Sequence, residues 1–225
     1  MNLSPFLPRL RGLLACAASA VALHAAPAPW QTLFDGHGTS AWRILGKPLD
    51  APIGWKIEDG ALAGNKGAGN LATKELYGDF ELELEWRISP GGNSGILFRV
   101  DPQAPRPPFS GPEIQILDNA RAKDGANLLT SAGALYALYA PAQQVAKPAG
   151  EWNALRLRVQ GKRIQSWLNG VAVIDAEIGS ADWKERVAKS KFAKSPEFAA
   201  SASGVIVLQD HGNPVWYRKI RIRRL

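Results

Sequence analysis

The amino-acid sequence predicts an all-β protein, a two-sheet antiparallel β-sandwich with one short helix in a connection. Residues 79–88 alternate strictly between apolar and charged side chains, which is the period of a strand with one buried face. Asn169-Gly170 stands between two apolar runs, and this dipeptide is the strongest short signal for a β-hairpin. The other apolar runs are short and separated by turn residues, a spacing typical of a sandwich.

Further strands and turns follow the same alternation. The inward-facing side chains of residues 79–88 are Phe80, Leu82, Leu84, Trp86 and Ile88. Leu155, Leu157 and Val159 repeat that spacing, so they predict another half-buried strand. Asp59-Gly60 predicts a second hairpin, since both residue types tolerate the backbone of a tight turn.

One segment favours a helix, residues 181–192, in which Trp183 and Val187 are four residues apart among good helix formers. It connects two predicted strands and therefore cannot form the core. The Pro-rich residues 102–112 and residues 140–150 are predicted loops. We therefore expect the interior to be built from strands.

Residues 1–26 are predicted to be a secretory signal peptide, followed by a single domain over residues 27–225. Basic residues precede an Ala-rich apolar stretch that is shorter than the ~20 residues needed to span a membrane. We expect cleavage between about Ala25 and Pro29, where small residues are frequent. The predicted location is periplasmic or secreted, with no membrane contact after cleavage.

The single cysteine, Cys16, lies within this predicted signal peptide. A lipid-modified Cys16 is one alternative, but too few apolar residues separate it from Arg11 to form the apolar part of a signal. The other alternative is a cysteine that is removed with the signal. The mature domain would then contain no disulfide, and its core alone would hold it together.

Composition excludes some partners and cofactors. The chain carries a formal charge of +7, with many basic residues in the last predicted strand, residues 218–224. They interleave with Ile220 and Ile222 at strand spacing, which indicates a solvated strand face and no nucleic-acid partner. Because no Gly-rich phosphate loop or Cys/His metal spacing occurs, we assign no cofactor and no metal. Strand-end aspartates suit a structural Ca²⁺, but calcium-loop spacing is missing, and the oligomeric state is left open.

The most informative segment is residues 91–118, which contains two short strands with unexpected polar residues. The side chains that alternation turns toward a core are Ile96, Phe98, Val100, Ile114 and Ile116. If the two strands are neighbours, Arg99, Glu113 and Gln115 share the opposite face. Such a face can bind a polyhydroxylated ligand and supply a carboxylate for proton transfer. The alternative is a solvated outer sheet face, which alternates in the same way.

A third polar strand lies near the C-terminus, residues 204–212. Its alternation places Gln209 and His211 on one face and Asp210 with apolar residues on the other. If this strand neighbours the first two, Gln209 and His211 join the predicted polar face.

Arg218 is unusual because it shares strand parity with Ile220 and Ile222, and so with the apolar face. A buried arginine needs an acidic partner, since an unpaired buried charge is costly. Asp118 and Asp210 have core parity in their own strands. We therefore expect one of them to pair with Arg218 and to support the site.

Ten short motifs resemble a known family. In order they are LFDG (33–36), GW (54–55) with EDG (58–60), GDFEL (78–82), GGNSGILFR (91–99), GPEIQILD (111–118), AGALY (132–136), GEWN (150–153), LNG (168–170), GVIVLQDHG (204–212) and YRKIRI (217–222). The set resembles the 3-keto-disaccharide hydrolase family, long described as a domain of unknown function. The resemblance covers essentially all of residues 27–225 and implies a concanavalin A-like lectin/glucanase jelly roll. The chain departs from the family at Pro112, usually an aromatic or bulky residue, and at Lys219, commonly an Asn.

The resemblance implies cleavage of glycosides whose glucose unit is oxidised at C3. A ketone at C3 acidifies the C2 proton, so a base can form an enolate, the glycosidic bond leaves by β-elimination, and water adds back. On this chain the implied base is Glu113 and the implied acid is His211. Arg99, with Gln115 or Asn93, is the implied stabiliser of the enolate oxygen.

Two aromatic residues, Tyr136 and Trp152, can either stack on a sugar ring or fill the core. For Tyr136 both alternatives stay open, and we keep it with Gln209 as a candidate for substrate binding. Trp152 is expected in the core. The substrate or ligand partner is a carbohydrate in either case.

Competing interpretations use the same residues. Glu113 and Arg99 can form a structural salt bridge, and His211 can be a turn residue bonded to backbone. At the level of function, the alternatives are a non-catalytic carbohydrate-binding module of the same fold and a lyase that stops at the enone.

Overall fold

The computed structural model describes Met1 and residues 28–225. The predicted signal peptide, including Cys16, lies outside the described residues. The strands are β1 (Gln31–Phe34), β2 (Trp42–Ile44), β3 (Lys56–Glu58), β4 (Ala61–Gly64), β5 (Leu71–Thr73), β6 (Phe80–Ile88), β7 (Asn93–Val100), β8 (Glu113–Leu117), β9 (Asn153–Gln160), β10 (Arg163–Leu168), β11 (Val171–Glu177), β12 (Val205–Leu208) and β13 (Val215–Arg224). One α-helix, α1 (Ala181–Lys189), and two 3₁₀ turns, Pro107–Phe109 and Leu128–Thr130, complete the described elements. No helix in the described part of the chain is long and apolar enough to cross a membrane.

The strands form two antiparallel sheets, so the predicted sandwich is confirmed. The larger sheet has the order β11-β10-β9-β6-β13-β4-β3, and β1 also pairs with β13. The smaller sheet has the order β2-β5-β12-β7-β8. The predicted hairpin at Asn169-Gly170 joins β10 to β11, and both residues have positive φ, 52° and 84°, as a two-residue type I′ turn requires.

The core lies between the two sheets and is built from the residues that alternation turned inward. Leu82 and Trp86 of the larger sheet and Ile114 of the smaller sheet are each at most 1% exposed. Phe80 and Phe98 meet edge to face across the sandwich, with ring centroids 6.3 Å apart at 70°. Full burial of such side chains contributes about 1.5–3 kcal/mol each, so the core is sufficient to hold a domain without disulfides.

Helix α1 occupies the predicted connection but ends three residues before the predicted limit. The Ser180 hydroxyl accepts a hydrogen bond from Trp183 N–H and caps the first turn. At the other end the Ser190 hydroxyl accepts from Phe192 N–H, which turns the chain out of the helix. Trp183 is buried against Phe198 at 6.0 Å, so the helix is anchored to the connection that follows it.

Two bulges reverse the strand alternation, each at a residue with positive φ: Arg99 at 50° and Lys219 at 52°. The register of β12 against β7 and of β13 against β6 shifts at these points. A bulge places the residues before and after it out of phase. Val100 therefore packs with Leu97 in a second, smaller hydrophobic cluster. It is fully buried, as predicted, but it does not join Ile96 and Phe98 in the main core.

Candidate active site

The three polar strands lie side by side in the smaller sheet as β12, β7 and β8, which confirms that they are neighbours. Glu113 begins β8 and stands opposite Leu97 of β7. On its other side lies Tyr136, because residues 131–139 hydrogen-bond to the outer edge of β8 and Tyr136 N–H donates to Glu113 O at 2.9 Å. The outer face of this sheet thus carries Tyr136 and Glu113 next to each other.

Gly95 of β7 makes room for the Glu113 carboxylate. Gly95 lies between Gln115 of β8, its register partner, and Gln209, whose N–H donates to Gly95 O at 2.9 Å. A methyl group added at Gly95 would overlap Glu113 Oε1 and lie 2.6 Å from Cδ. The carboxylate therefore lies over the Gly95 backbone, in the row that holds Gln115 and Gln209.

Amide side chains lie on the same face of the sheet as this carboxylate. Gln115 is buried, and its Nε2 donates to Asn93 Oδ1 at 3.3 Å. Gln209 Oε1 is buried and accepts no hydrogen bond from the described residues. A buried acceptor without a donor is costly, so Gln209 is suited to accept a hydrogen bond from a ligand hydroxyl.

Burial raises the pKa of Glu113 to about 7, and the positive charge of Lys191 opposes part of that increase. No side chain in residues 28–225 hydrogen-bonds to this carboxylate to stabilise its ionised form. A carboxylate with a pKa near neutrality can accept and return a proton at neutral pH, which is the property of a general base.

Lys191, which the sequence did not identify, supplies the positive charge that acts on this carboxylate. It follows α1 in the connection to β12, and its ammonium lies 4.1 Å from the Tyr136 ring centroid. The rings of Phe192 and Phe109 are 5.2 Å and 5.5 Å away. Lys191 is exposed as a residue. Partial desolvation of its ammonium lowers its pKa, although the charges of Glu113 and Asp124 act in the opposite direction.

Glu113 and Lys191 interact through space but form no salt bridge, so more than 4.0 Å separates their charged atoms. Tyr136 adjoins both groups, and burial together with the Glu113 and Asp124 charges raises the pKa of its phenol. Tyr136 is therefore a neutral hydrogen-bond donor. The arrangement combines a base, a cation and a phenol on one face, with space between the two charges.

Arg99 does not join this group, and its predicted position beside Glu113 is wrong. The bulge turns its side chain toward the larger sheet, where Nε donates to Gly78 O at 3.0 Å and Nη1 to Gly161 O at 2.9 Å. Nη2 forms a salt bridge with Asp79 at 3.0 Å. The guanidinium is buried and links two segments, residues 78–79 and the turn at Gly161, so its contacts are structural.

Arg218 also differs from the prediction, because it lies outside the core and pairs with neither Asp118 nor Asp210. It precedes the bulge at Lys219, faces outward from the larger sheet, and forms a salt bridge with Glu85 at 2.6 Å.

The two aspartates bind backbone N–H groups instead. Asp118 accepts from Gly91 at 2.8 Å and Ala120 at 3.1 Å. Asp210 accepts from Gly69 and Gly212, both at 2.9 Å. Both lie at one end of the site strands, where β8 and β12 end and β7 begins. They shape the turns there, which is support of a different kind from the predicted ion pair.

His211 and Trp152 both lie at the protein surface. His211 is exposed after the end of β12 and makes no hydrogen bond with the described residues. Trp152 is partly exposed on the outside of the larger sheet, where the guanidinium groups of Arg218 and Arg87 lie 4.0 Å and 4.9 Å from its ring centroid. Its predicted core position is wrong.

Comparisons with known proteins identify the family. Residues 29–223 match the 3-keto-alpha-glucoside-1,2-lyase-like domain. The chain belongs to this family. A 3-keto-disaccharide hydrolase of Bacteroides thetaiotaomicron is 32% identical over 86% of this chain and 78% of the relative. The family predicted from the motifs and the predicted enzyme class, a glycosidase-type hydrolase, are thereby confirmed.

Solved structures agree with that result. A candidate glycosyl hydrolase from Parabacteroides distasonis is 30% identical and covers 87% of this chain and 94% of its own, with a TM-score of 0.80. A Bacillus subtilis protein with a galectin-like fold is 16% identical and has a TM-score of 0.55 over 89% of this chain and 96% of its own. The second likeness concerns the fold alone and confirms the jelly roll.

Lys191 left no usable signal in the sequence. It is one of several lysines in and after the predicted helix, and only the packing of the connection against Tyr136 distinguishes it. Within residues 28–225 no group of three or more His, Cys, Asp or Glu side chains is arranged to hold a metal ion.

Proposed function

We propose that this protein cleaves 3-keto-glycosides, 3-keto-disaccharides among them, with Glu113 as the base that removes the C2 proton. The observation that carries the proposal is the Glu113 carboxylate itself, which is desolvated, free of a fixed partner and has a pKa of about 7. Structural carboxylates in this chain are paired with arginines or backbone N–H groups. The names of the family and of the Bacteroides relative supply the substrate class.

The first step forms an enolate. Glu113 accepts the proton from C2, the C2–H electron pair forms a C2–C3 double bond, and the π electron pair of the C3 carbonyl moves to its oxygen. The Lys191 ammonium, across the gap from Glu113, is suited to donate a hydrogen bond to that oxygen as negative charge develops on it. Lys191 thus takes the role that the sequence had given to Arg99.

The second step breaks the glycosidic bond. The enolate re-forms the ketone, a C1–C2 double bond forms, and the C1–O electron pair leaves with the departing alcohol, which needs a proton. His211, two residues after Gln209, is the proposed acid for this proton. Addition of water across the double bond then gives the hydrolysis product, and omission of that addition gives the enone product of a lyase.

The remaining polar groups are proposed to orient the sugar. Gln209 Oε1 can accept a hydrogen bond from a hydroxyl, and Gln115 with Asn93 presents amides on the same face. The Tyr136 ring and phenol provide a stacking surface and a donor. These contacts account for affinity, while Glu113 and Lys191 account for chemistry.

The decisive test compares a 3-keto-disaccharide with its unoxidised parent. Wild-type protein should release product from the ketone only, because only the ketone acidifies the C2 proton. Glu113→Gln should lower the rate by about 10²–10⁴-fold, while binding of the keto-disaccharide persists. The matched control is Glu177→Gln, at an exposed position at the end of β11, which should keep full activity.

Two outcomes would contradict the proposal. Near-full activity of Glu113→Gln would place the base elsewhere. Binding of sugars by the wild-type protein without cleavage of either substrate would instead favour the binding module.

We also propose that the protein is exported to the periplasm or secreted, on the basis of the N-terminal sequence pattern alone. Intact-mass measurement of protein recovered from the expressing cells tests this. A mature N-terminus between about Ala25 and Pro29 is expected. A retained Met1, or a lipid mass on Cys16, contradicts it.

A further inference from the structure

The outside of the larger sheet carries a groove on the opposite side of the sandwich from Glu113. One row of outward side chains crosses five neighbouring strands in direct register: Trp167, Arg156, Glu83, Arg221 and Thr32. At about 4.8 Å per strand the row is roughly 19 Å long. Beside it lies Ala154, exposed and with only a methyl group, opposite Glu85. The small side chain leaves a cavity of about 610 Å³.

The lining of this groove is electrically balanced. Its acidic residues are Asp35, Glu83 and Glu85, and its basic residues are Arg156, Lys219 and Arg221. Glu83 binds Arg221, with Nε–Oε2 at 2.8 Å, and Glu85 binds Lys219 at 2.8 Å. Because the charges are equal in number and mostly paired, the groove favours an uncharged ligand over an ionic one.

The same ion pairs leave both donors and acceptors free at fixed positions. Both hydrogen bonds from Arg221 go to Glu83 Oε2, so Glu83 Oε1 and Arg221 Nη1 bind no other group in residues 28–225. Arg156 uses only Nε, toward Glu81. A hydroxyl group both donates and accepts, so alternating donors and acceptors match a polyhydroxylated ligand. Side chains already held by partners lose little entropy when they bind one.

Trp167 provides an aromatic wall. It is partly exposed, lines the cavity, and is held by the Arg156 guanidinium 4.7 Å from its ring centroid. Trp combines a large apolar surface with a polar N–H, which suits the mixed apolar and hydroxyl surface of a sugar. The volume lies within the ~300–1,000 Å³ common for small-ligand sites.

We propose that this groove is a second carbohydrate-binding site, for an uncharged oligosaccharide. It is independent of the chemistry at Glu113, because the whole core of the sandwich separates the two outer faces. Its function is to hold a neutral saccharide at the protein surface, separately from the substrate that is cleaved.

The test measures binding by calorimetry to the full-length Glu113→Gln protein, with maltotriose, cellotriose and laminaritriose as neutral probes and trigalacturonate as a charged comparison. At least one neutral probe should bind with a Kd on the order of 1 mM or tighter. Trp167→Ala should weaken this about tenfold. Ala154→Leu should do the same by filling the groove from an exposed position, and Ala202→Leu, exposed elsewhere, should not.

In the otherwise wild-type protein, Ala154→Leu should leave cleavage of a 3-keto-disaccharide unchanged. Absence of binding by all three neutral probes at about 10 mM overturns the proposal. Binding that survives both Trp167→Ala and Ala154→Leu also overturns the proposal. Binding that is lost in Tyr136→Ala instead does the same, because the saccharide would then bind at the Glu113 site. A concentration-dependent dimer abolished by Ala154→Leu would assign the groove to a second copy of the chain and also overturn it.

Discussion

The two outer faces of the sandwich each hold a glutamate with a desolvated carboxylate, and the pKa values of these two glutamates shift in opposite directions. On the larger sheet, Glu81 is fully buried between Arg156 and Arg223. Burial alone would raise the pKa of Glu81, but hydrogen bonds from Arg223 and Arg156 outweigh it and lower that pKa below its ordinary value. On the smaller sheet, burial raises the pKa of Glu113 to about 7, since no cation in residues 28–225 forms a salt bridge with it.

For these two desolvated carboxylates, the presence of an arginine partner decides whether the group stays ionised or exchanges protons near neutral pH. Glu81 is held ionised over the whole physiological range, so it stabilises the sheet and cannot exchange protons at neutral pH. Glu113 changes charge near neutrality, at a cost in stability, and is therefore available for proton transfer. The cation near Glu113 is Lys191, which interacts with it electrostatically but is too distant for a salt bridge.

The largest effect is expected from removing the cation opposite Glu113. Lys191→Met should lower kcat by about 10²–10³-fold, because the enolate oxygen loses its donor. It should also move the acidic limb of the pH–rate profile to higher pH, since Lys191 lowers the pKa of Glu113. Steady-state kinetics across pH checks both, with Lys194→Met, exposed in the same turn, as the control. An unchanged profile would mean that Lys191 does not act on the chemistry.

A slightly smaller effect is expected from displacing the base without removing it. Gly95→Ala should lower activity by about 10²-fold, because its methyl group takes the space of the Glu113 carboxylate. Gly95 has no positive φ, so alanine adds no backbone strain, and thermal stability should stay close to wild type. Full activity at unchanged stability would show that the position of the carboxylate over Gly95 is unimportant.

The paired glutamate should behave in the opposite way. Glu81→Gln should destabilise the protein by about 2 kcal/mol and should leave kcat/KM unchanged. This loss is smaller than the ~3–5 kcal/mol typical of a broken buried ion pair, because both arginine partners reach solvent. Urea unfolding and kinetics at 25 °C measure the two quantities. A loss of activity without a loss of stability would contradict the contrast between the faces.

The smallest effect concerns stability against pH at Glu113. Its folded pKa lies above the ordinary 4.5, so the folded state binds this proton more tightly than the unfolded state. The stabilisation is complete below about pH 4.5 and is lost as pH rises through 7. Relative to wild type, Glu113→Gln should therefore be on the order of 1–2 kcal/mol more stable at pH 8 and unchanged at pH 4. Equal stability differences at both pH values would mean that Glu113 is not desolvated.

The fold was predictable from sequence because alternation and turn chemistry are local. The strand Phe80–Ile88 and the hairpin at Asn169-Gly170 follow from the period of two and from residue type. The adjacency of the polar strands was a condition of the prediction, and the sheet order fulfils it. Glu113, Gln115 and Gln209 were found in the same way, since no bulge interrupts their strands near them.

The rest depended on features that alternation does not encode. Each of these bulges contains one residue with positive φ, Arg99 or Lys219. Positive φ is typical of Gly and Asn, so arginine and lysine at these positions do not predict a bulge. Because of these bulges, the side chains of Arg99 and Arg218 lie on faces other than those that alternation predicts. Lys191 was missed for a different reason, because its position is set by aromatic packing after α1, between segments distant in sequence.

Hydrogen exchange at C2 shows whether Glu113 removes the C2 proton. Wild-type protein and Glu113→Gln are incubated in D₂O with a 3-keto-disaccharide, and deuterium at C2 of unreacted and released sugar is followed by NMR. Wild type should introduce deuterium at C2 and Glu113→Gln almost none, and C2-deuterated substrate should be cleaved more slowly where proton removal limits turnover. Equal exchange in both proteins, or cleavage that leaves C2 hydrogen in place, would contradict this role of Glu113.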